Sequence, residues 1–279
     1  MKQYLLFIIF LFLIFVSCKK DKGSNPGNSK KIASMSKGAE TYTYTYDALG
    51  RLSRLDFHPS KWSLRFEYNG PGIVSRWYGP DDSPVTDSHT EYNIQNGRMG
   101  SFIHSETGNV TINGSYEYDG EGRLMKHTER TASEQSGVEI IANYFQYHYE
   151  NDKTTRMNYA NVNRGVKKDS CVVDISYYDT KKFFSYRDIG LDVFGKIPTG
   201  TAHEVVITTP SPLSNIIPAE MYPAAQAPQT RKFVNYRWGG NNHGWVYLGV
   251  EIRDNSETDY EFDTEGNLTK YAGWQIVWQ

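Results

Sequence analysis

Cysteine is almost missing: Cys18 and Cys171 are the only two in 279 residues. If Cys18 is acylated no disulfide can form within the chain, and the protein must then stand on packing. No excess of basic charge exists either, since the formal net charge is -2 and the pI about 6.4. That removes the electrostatic footprint of a nucleic-acid binder, so no nucleic acid is expected as a partner. Long apolar runs are lacking beyond the first residues, and mean hydropathy is -0.61. Methionine is scarce, 6 residues against 21 tyrosines, so the apolar mass is carried by amphipathic rings, which favour strands. Aromatics at 14% can bury enough surface to offset the entropy of ordering the chain, which argues against bulk disorder. The length fits one large domain or two small ones.

Catalytic signatures are missing as well. The seven histidines (58, 89, 104, 127, 148, 203 and 243) show no His-Glu-x-x-His spacing and no cysteine partner at zinc distance, so neither metal nor cofactor is expected. No Gly-x-Ser-x-Gly elbow and no phosphate-cradling loop occur; Gly239 to Gly244 reads as a long hairpin turn. Cys171 shares strand parity with Val173, Ile175 and Tyr177 and is expected to be a core thiol rather than a nucleophile. No catalytic residue is assigned. Carboxylates are plentiful, which leaves a carbohydrate-processing hydrolase under the 187–231 segment as the alternative reading.

The N-terminus carries information. Lys2, an apolar stretch from Leu5 to Val16, and Phe15-Val16-Ser17-Cys18 form a signal peptide over residues 1–17, too short to span a bilayer. The arrangement resembles a bacterial lipoprotein signal, with Phe15 departing from the usual Leu. That resemblance implies lipidation at Cys18, an attachment to the membrane through it, and a cell-envelope, outer-membrane location. Residues 18–38, rich in Lys, Ser, Gly and Asn, read as a flexible tether, and residues 39–279 as a single domain.

Within that domain one unit recurs: aromatic, any residue, aromatic, Asp, then Gly three residues after the Asp. It reads Tyr44-Thr45-Tyr46-Asp47 with Gly50, Tyr116-Glu117-Tyr118-Asp119 with Gly122, and Tyr260-Glu261-Phe262-Asp263 with Gly266, each followed by Arg51-Leu52, Arg123-Leu124 or Asn267-Leu268. Weaker copies lie at Phe66 to Asn69, at Tyr92-Asn93 with Gly97, and at Tyr147 to Glu150. Residues two apart on a strand share a face, so the aromatics bury together. Asp47, Asp119 and Asp263 then bond the backbone of a tight turn, and Gly50, Gly122 and Gly266 supply positive φ. In the last copy, Leu268, Ala272, Trp274, Ile276 and Trp278 are expected on one face of a single strand, with Thr269, Tyr271 and Gln275 on the other.

The unit resembles the YD repeat of Rhs-type and teneurin-type proteins, and more closely the short YD-like lipoproteins of Bacteroidota. The chain is too short for the enclosing shell that such repeats build in large proteins. The expectation is an all-β fold: a long, curved antiparallel meander of about a dozen strands, a half-open barrel-like sheet. Residues 187–231 hold six of the 11 prolines and read as one irregular insertion that plugs the open side of the sheet or, as the alternative, serves as a ligand-gating flap. A strand at His203 to Thr208 and short helical turns over Leu213 to Met221 are expected within it.

What remains is aromatic surface. Trp238, Trp245 and Tyr247 flank the Gly/Asn-rich turn, and Trp62, Trp77 and Tyr78 flank proline-containing loops; such clusters suit stacking on sugar rings or gripping a peptide. Strand parity also groups Trp245 with Tyr247 and Gly249, which places part of this set inside. The sequence therefore predicts a non-catalytic binding or scaffolding module with a glycan or another envelope protein as partner. A role beside a larger Rhs-type protein is a weaker third expectation.

Overall fold

A computed structural model describes residues 30–105, 110–133, 139–150, 153–163, 166–193, 226–238, 245–254 and 259–279. These residues carry 17 strands in one antiparallel sheet. The first half holds β1 (Ile32–Lys37), β2 (Glu40–Tyr46), β3 (Leu52–His58), β4 (Trp62–Asn69), β5 (Gly72–Tyr78), β6 (Pro84–Gln95), β7 (Arg98–Ser105), β8 (Val110–Tyr118) and β9 (Leu124–Ser133). The second holds β10 (Glu139–Glu150), β11 (Lys153–Asn163), β12 (Val166–Lys182), β13 (Gln226–Trp238), β14 (Trp245–Asp254), β15 (Tyr260–Phe262), β16 (Leu268–Tyr271) and β17 (Trp274–Trp278). One 3-10 turn, Tyr186–Ile189, is the only helical element among the described residues.

Each strand from β1 to β14 pairs with the next, as do β15, β16 and β17. β1 also pairs with β17, so the N-terminal strand lies between the last strand and β2. No register joins β14 to β15 among the described residues, and the meander is not closed into a barrel. The expected architecture is present with more strands than the dozen foreseen.

Alternation dictates which face is covered. Leu64 and Phe66 of β4, Phe145 and Tyr147 of β10, Met157 and Tyr159 of β11, and Cys171 and Val173 of β12 are buried, while the intervening Glu67, Tyr144, Gln146, His148 and Arg156 are exposed. Each large side chain removed from water contributes roughly 1.5–3 kcal/mol, which is what bends so long a sheet around its own inner face.

The YD-like turns are built alike. Asp47 Oδ1 accepts from the amides of Leu49 and Arg51, both at 2.9 Å, and Oδ2 from Arg51 Nε at 2.7 Å. Asp119 repeats this with Glu121 and Arg123, and Asp263 with Glu265 and Asn267, whose amide replaces the guanidinium. Gly50, Gly122 and Gly266 close the turns at φ of 72°, 80° and 82°, a region that side-chain-bearing residues rarely adopt.

Three boundaries differ from the sequence expectation. The tether does not run to residue 38, because Ile32–Lys37 is strand β1. Ile32 and Met35 are both fully buried although three apart, since a register shift between Ile32 and Ser34 turns both inward and breaks the period-2 signal. Leu268 to Trp278 is two strands rather than one. Ala272 and Gly273 take φ of 51° and 81° and reverse the chain, so Tyr271 is buried and stacks on Tyr260 at 4.7 Å. The insertion ends early, because Gln226 already belongs to β13, where Pro228 sits opposite Tyr177 at a register shift that tolerates a missing amide proton.

Of that segment only residues 187–193 and 226–231 fall among the described residues, with Phe184 just before them. Phe184, Ile189 and Leu191 are buried in the core, and the segment is pinned by the Leu52 amide donating to the Gly190 carbonyl and the Met99 amide to Val193, at 3.2 and 2.6 Å. Gly190, at φ 75°, lies so close that a Cβ would meet the Leu52 nitrogen at 2.5 Å. Residues 194–225, including the strand expected at His203 to Thr208 and the turns over Leu213 to Met221, lie outside the described residues, as does the turn at 239–244.

Candidate functional site

The five aromatic candidates fall in two separate places. Trp62 opens β4 opposite Phe57 and is 40% exposed. Trp77, on β5, is half-buried and stacks on Phe57 at 5.1 Å, and Phe57 meets the edge of Tyr42, which in turn meets buried Trp274. The result is a row of rings across β17, β2, β3 and β5 that fixes Phe57 and Trp77 rigidly and leaves Trp62 as its exposed neighbour. Tyr78, next in sequence, lies under the Arg65 guanidinium at 3.8 Å.

Trp238 and Trp245 are directly paired at the start of the β13–β14 hairpin, with side chains outside the described residues. Tyr247 is 56% exposed and meets Tyr236 edge-on at 5.9 Å. Tyr247 is not among the inward-facing members of the set, because the register shifts between Asn235 and Tyr236, leaving Leu248 as an extra residue on β14. Asp47, Asp119, Asp263 and their glycines serve the turns. Among the described residues, no three His, Cys, Asp or Glu side chains group to hold a metal. Cys18, where lipid attachment was expected, lies outside the described residues.

Two constellations escaped the sequence reading. The first is inside the sheet: His127 and Glu129 of β9, two apart and therefore on one face, approach at 3.2 Å. The His127 ring is sandwiched between Tyr116 at 4.3 Å and Phe145 at 5.2 Å. Beside them the Thr90 hydroxyl meets His104 Nδ1 at 2.8 Å, and Asn143 Oδ1 accepts from Asn161 and from the Tyr159 hydroxyl. Burial, with a further push from Glu129, raises the Tyr116 phenol well above its usual range. Burial also pushes the Cys171 thiol up to about 11, which removes it as a nucleophile at neutral pH.

The second is an open groove of about 540 Å³ on the outer face, lined by His148 and Glu150 of β10, Thr155, Arg156 and Asn158 of β11, and Val172 and Asp174 of β12. Register sets it: His148, Arg156 and Asp174 stand in one cross-strand row, and Asn158 faces Val172 in the next. Asn158 Nδ2 donates to His148 Nε2 at 2.9 Å, and Arg156 Nε to Asp174 Oδ1 at 2.6 Å. Only the weak copy Tyr147 to Glu150 hinted that residue 148 faces outward. The partners on β11 and β12 follow no motif, because their grouping is created by strand pairing.

No family model matches the sequence, and no curated protein is similar to it. Solved structures share its fold. A porin-like protein from Bacteroides vulgatus superposes with a TM-score of 0.57 at 10% identity, covering 90% of this chain and 99% of that one. A porin-like protein from Bacteroides uniformis gives 0.51 at 14% identity, covering 90% and 95%.

Proposed function

We propose that the chain is a lipid-anchored cell-envelope protein acting as a non-catalytic binding module, with a glycan as its ligand. The observation that carries the reading is Trp62, an exposed indole beside the rigid Phe57–Trp77 stack. A pre-set aromatic surface stacks on the apolar face of a sugar ring at little entropic cost. The signal-like segment ending at Cys18 supports the anchor, and a fold shared with porin-like proteins of Bacteroides supports an envelope setting. The recurring turn supports a place beside the YD-like lipoproteins.

Two measurements test this. Detergent partitioning of the mature protein should depend on Cys18, with Cys18→Ser moving it to the aqueous phase. A glycan array probed with detergent-solubilised protein should give bound glycans, at least one of which Trp62→Ala loses without unfolding. Retention of a protein partner with no glycan bound would turn the reading to an envelope-protein scaffold.

A further inference from the structure

We propose that the outer-face groove across β10, β11 and β12 is a separate binding site for a neutral saccharide. The proposal rests on the reading of the chain as a binding module, but not on the Trp62 surface, which lies on β3 to β5. Neighbouring strands are spaced by about 5 Å, so the row His148, Arg156 and Asp174 spans about 10 Å. With about 540 Å³ of space, the groove falls within the size range of small-molecule sites.

The chemistry of the lining selects the ligand. Arg156 commits Nε to Asp174 and keeps its two terminal nitrogens as donors beside the second Asp174 oxygen, an acceptor. The bond from Asn158 Nδ2 occupies His148 Nε2, which puts the ring proton on Nδ1 as a donor and leaves Asn158 Oδ1 as an acceptor. Thr155 offers a hydroxyl and Glu150 a further acceptor. Donors and acceptors therefore stand side by side. A sugar hydroxyl both donates and accepts, so adjacent hydroxyls on one ring match such pairs, whereas phosphate and sulfate can only accept.

Net charge points the same way. Two carboxylates face one guanidinium, a balance that repels polyanions, while the Arg156–Asp174 pair occupies the charge a bare cation would need. Val172 supplies an apolar spot for the C–H face of a ring. Exposed Tyr144, outward on β10 two positions beyond Gln146, offers a stacking surface for a neighbouring ring.

The test is equilibrium binding by the full-length, detergent-solubilised protein. The probes are short neutral oligomers of glucose, mannose, galactose and N-acetylglucosamine, with sulfated, phosphorylated and uronate-bearing counterparts alongside. Asp174→Asn and Asn158→Ala remove one group each at a partly exposed position, and their melting temperatures report folding. We expect at least one neutral oligomer to bind with an affinity that falls about tenfold or more in either variant. Binding lost only in Trp62→Ala would overturn the groove and uphold the Trp62 surface. Preference for the acidic probes, or no binding of any neutral oligomer, would overturn the saccharide assignment.

Discussion

The Tyr68 hydroxyl donates to the backbone carbonyl of Leu52 at 2.8 Å, across the hairpin that separates them, while the Arg51 guanidinium lies 4.0 Å from the centre of the Tyr68 ring. The second aromatic of one repeat thus locks onto the return strand of the repeat before it. Tyr149 does the same to Leu124 under Arg123, and Tyr118 to Met99 under Arg98. Trp278 reaches the Leu268 carbonyl with its indole N–H.

Removing these hydroxyls should cost stability without altering packing. Tyr68→Phe and Tyr149→Phe are each expected to lower unfolding free energy by about 1 kcal/mol, and the double variant by about the sum, since the sites are far apart. Urea denaturation with unchanged slope checks this; no loss in either variant would show that water satisfies the carbonyls equally well.

The turn glycines separate into two grades. Gly50→Val or Gly266→Val meets open space but a hostile φ, and is expected to cost about 1 kcal/mol or more. Gly190→Ala adds a collision with the Leu52 backbone and is expected to cost about 3 kcal/mol or more. Ranking the variants by melting temperature decides the matter.

Asp119 should leave a mark on acid stability. The hydrogen bond from the Arg123 amide, helped by the Arg123 side chain and the Glu121 amide, outweighs desolvation and holds its carboxyl below the ordinary 3.8. The folded state then binds fewer protons than the unfolded one, so this contribution is complete above the unfolded value and is lost as pH falls through the folded one. Asp119→Asn should flatten the fall of urea midpoints between about pH 4 and pH 2. An unchanged acid limb would refute the linkage.

Trp62 and Trp77 should behave oppositely on truncation. Trp62→Ala is expected within about 0.5 kcal/mol of the parent, as for an exposed side chain. Trp77→Ala, which removes a ring stacked on Phe57, should cost about 2 kcal/mol or more. Denaturation curves for the pair distinguish a surface ring from a structural one.

Cys171, as the sole thiol of a Cys18→Ser variant, should resist aromatic disulfide reagents in the native state and react at once in denaturant. Fast native labelling would contradict its burial and raised pKa.

How much of this was readable follows from where the period of two survives. Tyr44 and Tyr116, with Leu52 and Leu124 after the turns, announced the hairpins, because their chemistry is local to nine residues. Ile32 and Met35, Tyr271, and Tyr247 were misplaced by one cause, a shift or reversal that no composition signals: a bulge in β1, a two-residue turn at Ala272-Gly273, and a bulge in β14. The groove was illegible for another reason. His148, Arg156 and Asp174 belong to three strands, and nothing in the order of residues says which three will stand in a row.

Because Ile32 pairs with Trp278, β1 has one of its two neighbours at the opposite extreme of the domain. During synthesis this strand emerges before its partner and waits, with one edge uncovered, until β17 has followed the strands between them. Folding of the intact sheet is therefore timed to the arrival of β17, and a chain halted before Trp274 would present β1 as a sticky edge to other unpaired strands.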